Sequence, residues 1–113
     1  MYKIQYNPTE NRVDIIIIEI NKDNVDNYIA DYIKVLECVK PGFIGMADLS
    51  EGQLFTKEIC EKLDPLSQVT VGKGLRKWAN YATPEIKLQM DRMYGEVADT
   101  FVTREEAEAF LKE

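Results

Sequence analysis

The last third of the chain, Gly74–Glu113, constrains the fold more than any other stretch. GLRKWANYA reads as a strand, TPEIKLQMDRMYGEV as a helix, ADTFV as a brief strand and TREEAEAFLKE as a closing helix. Thr83 stands where a helix cap belongs, with Pro84 at the first helical position and Glu85 near the positive end of the helix dipole. Thr103 and Glu106 have capping-box spacing. A strand–helix–strand–helix ending of this kind predicts an α/β fold with a largely parallel sheet.

The first two thirds extend the pattern. Tyr2–Tyr6 alternates apolar and polar residues, the period of a half-buried strand. Asn7-Pro8-Thr9-Glu10-Asn11 is turn chemistry, so Val13–Ile20 should return as the second arm of an antiparallel hairpin. Its four consecutive isoleucines, Ile15–Ile18, predict a strand covered on both faces. A helix follows from Asn24 to Val39, its apolar stripe running through Val25, Tyr28, Tyr32, Ile33 and Leu36. Lys40-Pro41-Gly42 ends it, and Phe43–Asp48 is a third strand whose Gly45 implies close approach of a neighbour. Gln53–Gly72 is helical, with Pro65 either kinking one helix or starting a second. The whole predicts a mixed, mostly parallel five-stranded sheet with about four helices. Its last strands are Leu75–Tyr81 and Asp99–Val102, and its last helices Pro84–Val97 and Arg104–Lys112. The expected core comprises Ile16, Ile18, Ile33, Leu36, Ile44, Leu63, Met90 and Phe110.

Composition narrows the function classes. With 113 residues, a single domain over 1–113 is expected. A net charge of −6 argues against nucleic acid and against an anionic membrane surface as partners. Ile15–Ile18 is the longest apolar run, too short for a bilayer span or a signal peptide, so a cytoplasmic protein without membrane insertion is expected. The chain has no histidine, which removes Ser-His and Cys-His nucleophilic pairs and the usual zinc ligands. Cys38 and Cys60 read as buried helical thiols in place of a disulfide. No metal site, cofactor or catalytic residue is expected.

FIGMADLS, GLRKWANYATPEIKLQMDRM and FVTREEAEAFL resemble the SpoIIAA-like family, often labelled STAS/SEC14-domain proteins. The resemblance rests on Asp48-Leu49-Ser50, on Gln89-Met90-Asp91-Arg92, and on Phe101 with Glu106-Ala107 and Phe110-Leu111. It implies a mixed sheet with helices packed around it and an antiparallel first strand. The better-studied relatives are anti-sigma-factor antagonists that bind a partner kinase and are switched by phosphorylation of a serine at the start of the second helix. This chain has Leu54-Phe55-Thr56-Lys57 near that place, so the phosphoswitch is not carried over. SEC14-type relatives bind lipids in an apolar cleft within a much longer domain.

Two groups of residues are candidates for a site. Loops beyond the carboxyl ends of parallel strands form the ligand crevice in many α/β sheets, and here they supply Asn24, Asp48, Ser50, Asn80 and Thr83. The simpler account is that Ser50 and Thr83 cap helices and Asp48 accepts loop amides; Ser50 in particular stands three residues before Gln53. Lys73, Arg76 and Lys77 beside Trp78 form the one basic cluster, either a patch for an anion or acidic partner or an ordinary solvated loop. Asp91-Arg92 reads as a surface ion pair. Tyr28, Tyr32 and Tyr94 suit either a ligand-facing set or helix packing. The function that follows is a non-enzymatic, STAS-like regulatory or protein-interaction module. The alternative is a domain binding a small apolar or amphipathic, lipid-like ligand between helices and sheet. The partner is then a protein or such a ligand, and a homo-oligomer is compatible with either.

Overall fold

The computed structural model describes residues 1–113. Five strands lie in one sheet in sequence order: β1 (Tyr2–Asn7), β2 (Arg12–Ile17), β3 (Ile44–Asp48), β4 (Lys77–Tyr81) and β5 (Asp99–Phe101). β1 and β2 are an antiparallel hairpin with Ile4 opposite Ile15; every later pairing is parallel. The helices are α1 (Val25–Leu36), α2 (Lys57–Leu63), α3 (Pro65–Gly72), α4 (Pro84–Tyr94) and α5 (Arg104–Lys112). The mixed α/β class and the antiparallel first strand agree with expectation. Pro65 starts a helix of its own, because Asp64 ends α2 and proline fits the first turn of α3.

Because the strand order never reverses, right-handed crossovers put α1–α4 on one face. The larger core lies there, joining Val13, Ile15 and Ile17 of β2 to Tyr28, Tyr32 and Leu36 of α1, with Phe43, Ile59, Leu63 and Met90. Only α5 reaches the other face, where Met46 and Ala79 meet Ala107 and Leu111.

This asymmetry corrects several expectations. β2 is well covered on one face only, so Ile15 and Ile17 are buried while Ile16 is 42% exposed. Ile18 lies beyond the strand and is partly buried. A strand's side chains alternate, and four isoleucines in a row carry no mark of phase. Leu36, Leu63 and Met90 are buried as expected, whereas Ile33, Ile44 and Phe110 are partly buried at the margins of the two clusters. Cys38 is exposed, because α1 ends two residues before it, and Cys60 is half-buried; both are free thiols.

Local chemistry fixes the joints. Gly45 faces Trp78 across β3–β4, and a Cβ there would fall inside the indole ring. Gly74 takes φ +94°, a conformation open to glycine, and its carbonyl accepts from Gly42 N–H at 2.7 Å. Asn11, at φ 51° in the hairpin, ties that turn to the end of the α1 connection: its Oδ1 accepts from Tyr6 Oη (2.7 Å) and Lys40 N–H (3.1 Å). Thr56, Thr83 and Thr103 cap α2, α4 and α5.

Candidate functional site

The five candidate residues at the carboxyl ends of the strands do not share one crevice: the hollow there, about 320 Å³ between the loops after β2 and β3, is lined by Glu19, Asn21, Lys22, Gln53 and Thr56 and by none of the five. Ligand crevices in open α/β sheets form where the strand order reverses and neighbouring loops part to opposite faces. Here it runs straight from β1 to β5. Asn24 instead closes a local turn, its Oδ1 accepting from Asn21 N–H and its Nδ2 donating to Glu19 O. Thr83 accepts from Ile86 N–H at the start of α4. Asn80 is buried within β4, accepting from Trp78 Nε1 (3.0 Å) and donating to Thr100 Oγ1 (3.3 Å). Asp48 and Ser50 do meet: Asp48 Oδ1 accepts from Ser50 Oγ (2.6 Å) and Ser50 N–H (3.0 Å). Ser50 thus fixes its loop and caps no helix, since α2 begins seven residues later.

Arg104 completes that pair, donating to Asp48 Oδ2 at 2.7 Å. Burial acts to raise the Asp48 carboxyl, but the Ser50 and Arg104 contacts outweigh it and hold the pKa below the usual range. Next to it, Arg12 grips Glu108 through both terminal nitrogens (2.8 and 2.9 Å) and also meets Asp14. That grip holds Glu108 low as well. These pairs clamp α5 to the sheet.

The basic cluster has partners inside the chain. Arg76 donates to Leu111 O and Glu113 O, and Lys77 donates to Phe110 O while lying 4.4 Å from the centre of the Phe110 ring. Cations at the carboxyl end of a helix suit its dipole. Lys73, at the end of α3, is exposed and its ammonium has no partner in the chain. Asp91 pairs with Lys87 one turn away, not with Arg92, because adjacent residues on a helix diverge.

The feature of substance lies on the four-helix face. A cavity of about 70 Å³ sits between α1–α4 and the sheet, and 14 of its 17 lining residues are hydrophobic. Tyr28, Tyr32, Trp78, Met90, Tyr94 and Phe55 are the large aromatic and sulfur-bearing side chains of its wall. Ala47 and Ala98 make the room, contributing only a methyl each. Of its polar lining groups, Ser67, Tyr32, Thr70 and Asn80 make side-chain hydrogen bonds within the chain, and the Tyr28 and Tyr94 hydroxyls make none. Thr70 Oγ1 donates to Leu66 O (2.7 Å), which leaves Tyr32 Oη to donate to Thr70 across 2.5 Å. No fully buried side-chain nitrogen or oxygen lacks a partner. Burial pushes the Tyr32 hydroxyl up to about 12 and raises those of Tyr28 and Tyr94. The three therefore stay neutral through the physiological range. Phe55, Ser67, Leu75, Tyr94 and Val97 are the partly exposed wall residues and mark where the cavity approaches solvent.

Gln89 holds that wall together. Its Oε1 accepts from Phe55 N–H and its Nε2 donates to Phe55 O, both at 2.8 Å, so α4 grips the loop before α2. Gln89 belongs to the Gln-Met-Asp-Arg block, the one signal in the sequence that marked it.

No protein-family model matches the chain, and no curated protein does. Among solved structures, it is similar to the crystal structure of an uncharacterized protein from the DUF3478 family with a SpoIIAA-like fold, from Shewanella loihica PV-4. The TM-score is 0.70 at 11% identity, covering 97% of this chain and 93% of that one. The chain therefore has the SpoIIAA-like fold. No helix is long and apolar enough to cross a membrane.

Proposed function

We propose that this chain is a non-enzymatic binding module of SpoIIAA-like fold whose occupant is a small apolar molecule held between the helical layer and the sheet. The cavity walled by Tyr28, Tyr32, Trp78 and Tyr94 carries this reading. Between the two expectations, a protein partner and a small apolar ligand, it favours the ligand. An apolar void of about 150 Å³ is enough to take up benzene. The cavity here is smaller, at about 70 Å³, so it suits a small ring or the tip of an alkyl chain. Because no fully buried side-chain nitrogen or oxygen lacks a partner, selection rests on shape and on the faces of the aromatic rings, with the Tyr28 and Tyr94 hydroxyls the polar lining groups not already engaged.

Native mass spectrometry of protein purified from cells, with NMR titration by benzene, tests the reading. The expected results are a bound mass or saturable shifts at residues lining the cavity, both abolished by Ala98→Leu, which fills the space. An empty protein whose lining resonances do not respond to benzene would defeat the proposal.

A further inference from the structure

The free edge of the sheet at β1 carries a second recognition surface. β1 is the outermost strand and is paired on one side only. The bond from Ile18 N–H to Met1 O, 2.9 Å, sets the alternation along the hairpin. Lys3, Gln5 and Asn7 accordingly exchange hydrogen bonds with β2, while Tyr2, Ile4 and Tyr6 aim their N–H and C=O groups outward. Nothing in the strand blunts this edge: Pro8 follows it, and its one charged residue, Lys3, projects from a face of the sheet and not from the edge. β5, at the opposite edge, is only three residues long.

The sequence of this edge reads almost the same in both directions: Tyr2-Lys3-Ile4-Gln5-Tyr6. We propose that β1 pairs antiparallel with β1 of a second copy about a two-fold axis through Ile4, joining the two sheets into one. In that register Ile4 meets its own counterpart and Tyr2 meets Tyr6 of the second copy. These are the residues whose backbone groups point outward, so each pair can exchange both main-chain hydrogen bonds. The rings come already held, since Tyr2 Oη donates to Asp31 and Tyr6 Oη to Asn11. On the other face Lys3 stands opposite Gln5 of the second copy, whose amide oxygen accepts from it. Sliding the pairing by two residues toward the amino end would set Lys3 against Lys3, a like-charge contact that counts against that register.

One strand pair is a small interface compared with the ~1,200 Å² of a standard stable one. Association therefore belongs at protein concentrations on the order of 0.1–1 mM. The test is sedimentation equilibrium over that range on the full chain. The wild type is expected to dimerise. Gln5→Lys puts two lysine pairs across the axis and should weaken the dimer about threefold to thirtyfold. Gln5→Glu should tighten it at low salt by a similar factor, and Lys3→Glu with Gln5→Lys should restore it. Gln5 is exposed, and urea denaturation of each variant checks that the protomer is intact. A wild type that stays monomeric throughout the range overturns the proposal, as does a dimer indifferent to the charge at Gln5.

Discussion

The two faces of the sheet are held by different physics. On the face covered by α1–α4, 19 buried apolar residues form one core, and what is left unfilled is a cavity. On the face covered by α5, the apolar cluster has four buried members and is fenced by Arg12, Asp14, Glu108, Arg104 and Asp48. Four helices can share a packing error among many side chains, and a void survives. A single nine-residue helix has too little apolar area to be held by burial alone, so its position depends on directed charge pairs. The face with slack suits a ligand; the clamped one suits a fixed scaffold.

β2 separates the two regimes residue by residue, which gives the largest test. Ile15 is 2% exposed on the four-helix face, and Ile15→Ala should cost about 2–5 kcal/mol in chemical denaturation. Ile16, next to it, points to the face that α5 leaves uncovered, and Ile16→Ala should change stability by no more than about 0.5 kcal/mol. Equal losses at the two positions would mean that β2 is buried on both sides and that the contrast between the faces is false.

The phase of β2 was hidden in the sequence for this reason. Periodicity reveals a strand's buried face only when the other face is polar, and Ile15–Ile18 is apolar throughout. Where chemistry is local, the sequence spoke plainly. Thr83-Pro84 and the Thr103–Glu106 spacing marked two helix starts that the structure has, and Pro65, open between a kink and a start, begins α3. The clamp was illegible because Arg12 and Glu108 lie 96 residues apart and no short pattern links them. The cavity was half legible. Tyr28 and Tyr32 fell on the α1 stripe, and Tyr94 was set beside them as an aromatic set. Whether packing closes the space among them depends on Ala47 and Ala98, whose small size means nothing until the neighbours are known.

A middle-sized effect sharpens the comparison through pH. On the clamped face Glu108, gripped by Arg12, and Asp48 titrate below their ordinary values of 4.5 and 3.8. Their contribution is whole above those values and is lost as pH falls through the lowered ones. On the four-helix face Tyr32 is raised from 10.0 to about 12, so its contribution is whole below 10.0 and is lost as pH rises toward about 12. Arg12→Ala should cost about 1–3 kcal/mol near neutrality and flatten the acid arm while leaving the alkaline arm unchanged. Denaturation midpoints measured from acid to alkaline pH read both arms. An alkaline arm that moved with Arg12 would show the faces to be coupled.

The smallest effect separates two serine and threonine roles at the end of β3. Thr56 accepts from Ile59 N–H and caps α2, so Thr56→Ala should cost about 0.5–2 kcal/mol. Ser50 donates to Asp48 and touches no helix, so Ser50→Ala removes one hydrogen bond to a charged acceptor that Arg104 still partners. The loss should be about 0.5–1 kcal/mol, toward the low end because Ser50 is only half-buried. Stability alone would barely tell the two variants apart. The carboxyl resonance of Asp48 does: Ser50→Ala removes the hydroxyl that favours the ionised form, so the Asp48 midpoint should rise, while Thr56→Ala leaves it in place. An Asp48 midpoint unmoved by Ser50→Ala would mean that Arg104 alone holds the carboxylate. The Ser50 hydroxyl would then be a free group at the rim of the clamped face, not part of its clamp.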